Sequence, residues 1–140
     1  MIRDRRASTA LEFVLAAPVL MVLLFGAIEY ARLVWTMQAL QLAGDQTARC
    51  VAIMGSACAS PAAYAVSTAT GFGALGLQAA NVTIDNTPPA TTNAAACSPA
   101  SGNLAVRVQL SLAFTSVAAG LLPGLGQTLK TSSCFSITGN

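Results

Sequence analysis

A chain of 140 residues with 54% hydrophobic and 9% charged side chains has room for one domain, and carries too few ionic groups for an ordinary soluble surface. Its net charge of +2 comes from the N-terminal cluster Arg3, Arg5 and Arg6, while the remaining basic residues are scattered, which argues against a nucleic-acid surface. With no histidine there is no imidazole base for a serine or cysteine nucleophile, and with no CxxC pair there is no zinc ligand set. The expectation is therefore no catalytic residues, no metal and no cofactor.

Met1 to Ala7 reads as a short basic leader, too polar to enter lipid. A helix is expected to begin near Ser8 or Thr9, whose hydroxyls suit an N-cap. From Phe13 to Ile28 no side chain is charged, and that run spans about 24 Å at about 1.5 Å per residue. A bilayer core is about 30 Å thick, so a spanning helix has to continue past Glu29 and Arg32 to around Trp35. One transmembrane helix, roughly Leu11 to Met37, is the result. The basic cluster before the run puts the N-terminus in the cytoplasm and the rest outside.

A cleaved secretory signal peptide would need a small-residue site after the apolar run, but around Ala27 the residue three before a cut is the large Phe25. Twin-arginine export through Arg5 and Arg6 conflicts with Glu12 inside the expected apolar region. Pro18 removes one backbone hydrogen bond and is expected to bend the helix. Tyr30 and Trp35 suit interfacial anchors. Glu29 and Arg32 are three residues apart and share a face, which fits an intrahelical ion pair or a contact with another subunit.

Beyond the membrane the pattern becomes amphipathic. Met37, Leu40, Ala43, Thr47, Val51 and Met54 recur at spacings of three and four, with Gln38, Gln41, Asp45, Gln46 and Arg49 on other faces. One helix half in lipid and half in water, ending near Gly55, accounts for this. Ser60 and Pro61 open a short second helix that runs to about Thr70 and stops at Gly71. The following GFGALG has the letters of a dinucleotide-binding loop but neither the preceding strand nor the following helix, and reads as a turn.

Asn81 to Asp85 alternates like a short strand, and Asn86 to Asn103 is a loop rich in Pro, Thr, Ala and Asn. In Leu104 to Phe114, Leu104, Val106, Val108, Leu110, Leu112 and Phe114 alternate with Arg107, Gln109 and Ser111. Val117 to Gln127 breaks the pattern with Gly and Pro before Thr128 to Ile137 resumes it. The expected fold class is α+β: a long N-terminal transmembrane and amphipathic helix packed on a small antiparallel sheet of about three strands.

Cys50, Cys58, Cys97 and Cys134 all fall on the outer side, where an even count reads as two disulfides with three alternative pairings. Cys50 with Cys58 closes a small loop at the end of the long helix. Cys97 with Cys134 ties the long loop to the last strand, and this is the favoured connectivity.

Glu12 lies at the edge of the apolar helix. A carboxylate there either sits at the cytoplasmic interface, pairing with Arg5 or Arg6 and favouring the helix N-terminus, or has a specific task. The string RRASTALEF followed by VLAAPVLMVLLFGAIEYARLVW resembles the N-terminus of TadE-like proteins, the minor pseudopilins of the Tad (Flp, type IVb) pilus machinery. Pro18, the FGxIExxR element (Phe25, Gly26, Ile28, Glu29, Arg32), the Ala-rich helix and the terminal strand–loop–strand pattern ending in SSCF extend the resemblance.

The resemblance implies a prepilin-type leader over residues 1–7, a helix over 8–55 and an extracytoplasmic α+β, pilin-like domain over 56–140. It implies cleavage between Ala7 and Ser8 by a prepilin peptidase, with alanine standing where that enzyme usually meets glycine. Glu12 becomes the fifth mature residue, followed by the aromatic Phe13. Its family role is assembly, by meeting the new N-terminal ammonium of a neighbour. The implied partners are the prepilin peptidase, other Tad pilins or pseudopilins, an inner-membrane assembly platform and the lipid bilayer. The implied location is the bacterial inner membrane, with incorporation in a pilus as one outcome. The alternative is an unprocessed single-pass protein whose outer domain is a binding module.

Overall fold

A computed structural model describes residues 5–54, 58–85, 104–116 and 126–137. Helix α1 runs from Arg5 to Met54, 50 residues, or about 75 Å at about 1.5 Å per residue. It starts before the expected Ser8 or Thr9 cap because arginine and alanine are themselves good helix formers. The helix is unbroken through Pro18. Helix α2 spans Pro61–Gly71, a short 3-10 turn spans Ala79–Asn81, and strands β1 (Val82–Asp85), β2 (Leu104–Phe114) and β3 (Gln127–Ile137) follow. The molecule is α+β, with one antiparallel sheet in the order β1-β2-β3.

The two faces of β2 separate as its alternation requires. Val106, Val108, Leu110, Leu112 and Phe114 are buried against the helices, whereas Gln109 and Ala113 are exposed. Register pairs Val82 with Leu110 across β1 and β2, and Leu112 with Leu129 across β2 and β3. Fully buried Leu40, Val106, Val108 and Leu110 form the centre of the core, each side chain contributing about 1.5–3 kcal/mol by its removal from water.

The outer half of α1 covers this sheet with a stripe broader than its large apolar residues indicate. Ala39, Leu40, Ala43, Gly44, Thr47 and Ala48 are all buried, while Met37 is 38% exposed. Small residues dominate because the sheet comes very close. A Cβ added at Gly44 would stand 2.6 Å from Ser133 Oγ and 3.2 Å from Ser133 Cβ. The buried Thr47 hydroxyl donates to the Ala43 carbonyl at 2.7 Å, so it is satisfied within its own helix.

Cys50 and Cys58 are joined in a disulfide, with Cα atoms 5.8 Å apart, which ties the end of α1 to the start of α2. Ser60 occupies the N-cap position of α2 and Pro61 its first turn, but the Ser60 side chain makes no capping hydrogen bond. The carbonyl of Ser60 instead accepts from Tyr64 N at 3.0 Å.

Helix α2 ends at Gly71, yet the glycine that terminates it is Gly73. Gly73 has φ +90°, its N–H donates to the Thr70 carbonyl at 3.0 Å, and Ala74 N–H donates to the Ala69 carbonyl at 2.9 Å. This is a Schellman cap, in which a left-handed residue lets the last carbonyls find donors. The GFGALG letters thus serve a helix terminus, followed by a second positive φ at Gly76. The expected helix end at Gly55, the loop over residues 86–103 and the Gly/Pro connection over 117–125 lie outside the described residues.

Candidate functional site

From Ala10 to Ala31 every side chain of α1 is exposed, apart from the half-buried Ala17 and Glu29. Leu11, Phe13, Val14, Leu15, Val22, Leu23 and Phe25 are each more than 60% exposed. α1 is long and apolar enough to cross a membrane, within a candidate stretch of Ala10–Ile53. The folded domain limits how much of this helix stays bare. Leu33 packs against the core and Ala39 and Leu40 are inside it, so the part left bare is about Ala10 to Ala31. That is about 33 Å at about 1.5 Å per residue, close to the thickness of a bilayer core of about 30 Å. The expected span, roughly Leu11 to Met37, covers this bare stretch and continues into the part of α1 that meets the folded domain.

At the lower end, the backbone of Ala7 and Ser8 lies in the first turns of α1. Glu12 is exposed, and Phe13 beside it is 72% exposed. Ser8 and Glu12 are four positions, about one helical turn, apart along the backbone of α1. The side chains of Arg5 and Arg6 lie outside the described residues.

At the upper end, the domain closes around the helix in a collar. Arg32 Nη1 donates to Glu29 Oε2 at 2.9 Å, an ion pair between residues three apart on α1. The Glu29 side chain is 15% exposed and that of Arg32 49%. The Arg32 guanidinium also stands 5.9 Å from the centre of the Phe114 ring, at the end of β2. A cation over an aromatic face is attracted by the ring quadrupole, so Arg32 links the helix both to Glu29 and to the sheet. Thr36 Oγ1 donates to the Arg32 carbonyl at 2.8 Å.

Trp35 belongs to the same collar. Its Nε1 donates to the carbonyl of Phe72, in the Schellman turn, at 3.0 Å. A Cβ on Gly73 would stand 3.3 Å from that nitrogen. Trp35 is therefore a docking residue for the outer domain. Sequence reasoning missed Phe72, Gly73 and Phe114 as parts of this collar, because each meets α1 only through the tertiary fold. The one available signal was the glycine at the third position of GFGALG.

Higher up, the Arg49 guanidinium lies 6.0 Å from the Phe135 ring centre. Two cation–aromatic contacts thus clamp the sheet at both ends of the outer half of α1. Cys134 is disulfide-bonded; Cys97 lies outside the described residues.

A family model described as TadE-like protein matches residues 7–49. The match covers α1 from the expected cleavage point, through the exposed span and the collar, to Arg49. The chain matches no curated protein and no solved structure.

Proposed function

We propose that this chain, on the strength of its TadE-like segment, is a minor pseudopilin that helps to assemble or prime a Tad-type (Flp, type IVb) pilus. The observation that carries the proposal is the arrangement of the matched helix. A length close to one bilayer is left bare at one end, with Glu12 at its foot, and a folded domain is fixed to the other end. A protein that works by inserting its helix among other helices needs this division.

In this proposal the basic N-terminus faces the cytoplasm and the α+β domain lies outside the inner membrane. A prepilin peptidase cuts between Ala7 and Ser8. That bond lies close to the end of α1, where local unwinding costs little free energy. The cut releases an ammonium at Ser8. In an apolar bundle an unpaired charge is far costlier than a matched pair, so Glu12 of one subunit and the Ser8 ammonium of another neutralise each other. The partners are other Tad pilins or pseudopilins and the assembly platform, and the work is done by helix packing, not by reaction chemistry.

Alanine rather than glycine before the cut favours one alternative, an unprocessed membrane protein with an outer binding domain. Intact mass and N-terminal sequencing of the protein from pilus-competent cells, with and without the peptidase, separate the two. Protein that begins at Ser8 only when the peptidase is present supports the pseudopilin. Retention of residues 1–7 in every molecule overturns it.

A further inference from the structure

Among the described residues of the outer domain, Leu75 is the most exposed large hydrophobic side chain, at 72%. It lies in the turn that follows α2, next to Gly76, and Phe72 in the same turn is 40% exposed. The position of this turn relative to the span is fixed. The Phe72 carbonyl is held by Trp35, and Leu75 lines an open groove together with Ile28, Ala31, Arg32, Trp35 and Phe114. Ile28 and Ala31 are the last residues of the bare helix. Leu75 is thus held level with the end of the span, on a turn shaped by two left-handed glycines.

We propose that this turn is a membrane foot: Phe72 and Leu75 enter the boundary between headgroups and acyl chains of the outer leaflet, beside Trp35 and at about the level of Tyr30. The occupant of the groove is lipid. Its floor is continuous with helix that is itself 57% exposed at Ile28 and 71% at Tyr30. Indole and phenol rings favour this depth of a bilayer. The charged groups on the described surface here, Glu29 and Arg32, are paired with each other, so the foot can approach the headgroups without stranding a charge. A single helix leaves a domain free to tilt over the bilayer; a second contact, off the helix axis, removes that freedom and fixes which face the domain turns to its neighbours.

The proposal rests on α1 crossing the membrane, and the test keeps the two apart. The full chain is reconstituted in vesicles of phosphatidylethanolamine and phosphatidylglycerol. A photoreactive phenylalanine analogue replaces Val22, Leu75 or Tyr64 in turn. Val22 lies within the bare span, and Tyr64 is 41% exposed on α2, away from the foot. After irradiation, lipid adducts are expected at positions 22 and 75, several-fold above those at position 64. Adducts at 22 with none at 75 overturn the foot while leaving the span intact. Adducts from 75 to a second protein chain overturn it in favour of a subunit contact. No lipid adduct at 22 overturns the spanning helix and the foot with it. The same preparation carrying Leu75→Asp, with the analogue placed at Phe72, is expected to lose most of its lipid adducts; unchanged labelling also counts against the foot.

Discussion

The indole N–H of Trp35 donates to the carbonyl of Phe72 across 37 residues of sequence, joining α1 to the cap of the second helix. Trp35→Phe keeps the ring and removes the donor. A net hydrogen bond is worth about 0.5–1.5 kcal/mol, and this one is on an exposed rim, so a loss at the low end of that range is expected. Chemical denaturation in detergent micelles measures it, and faster hydrogen exchange at Gly73 and Ala74 should accompany it. An unchanged exchange rate would mean that the cap stands without the tryptophan.

Gly73 sits at φ +90°, and an L side chain there costs roughly 1–2 kcal/mol. Gly73→Ala should lower stability by about that much, and by more than Gly71→Ala, since a Cβ at Gly71 meets nothing within 4 Å. Equal effects at the two positions would remove Gly73 from the terminating role.

Gly44→Ala sets two effects against each other. Alanine gains about 0.8–1 kcal/mol over glycine inside a helix, but its Cβ would stand 2.6 Å from Ser133 Oγ and 3.2 Å from Ser133 Cβ. Overpacking of a closely fitted core costs typically about 1–3 kcal/mol, so net destabilisation is expected. Adding Ser133→Ala should recover part of it, because the nearest clashing atom is then gone. A stabilised Gly44→Ala protein would show that β3 moves away without cost.

Removing the Cys50–Cys58 bridge, with a sequence separation of 8, should cost about 2.5 kcal/mol in the chain-entropy account. Thermal or denaturant unfolding of the double serine variant tests this. Peptide mapping without reduction is expected to recover Cys134 joined to Cys97. A Cys50–Cys97 peptide would contradict both pairings.

Two substitutions in the leader and the span address assembly. Glu12→Ala should leave cleavage largely intact and abolish piliation, while Ala7→Gly should speed cleavage. Pulse-labelled processing and electron microscopy of pili read the two effects separately. Normal piliation with Glu12→Ala would reduce the glutamate to an interfacial charge.

Several of these features can be read directly from residue order. The alternation in Leu104–Phe114 places its apolar side chains on the buried face, because period two leaves them nowhere else to go. The uncharged run from Phe13 to Ile28 marks, on composition alone, a helix apolar enough to cross a membrane. The contact stripe of the outer helix was harder to see. Apolar periodicity picks out Leu40, Ala43 and Thr47 but passes over Ala39, Gly44 and Ala48, since small residues signal close approach and not hydrophobicity. The point where α1 passes from bare to covered was also hidden, for it depends on where a sheet from the far end of the chain meets the helix. So was the collar: Arg32 and Phe114 are 82 positions apart, and no local pattern couples them.

Because α1 continues without a break from Glu12 to the core residues Leu40 and Thr47, it acts as a drive shaft. No joint lies between the bare span and the sheet; the proline is at position 18, inside the span. In the proposed assembly, a machine that drew the lower half out of the bilayer would raise the folded head with it and so withdraw Phe72 and Leu75 from the lipid.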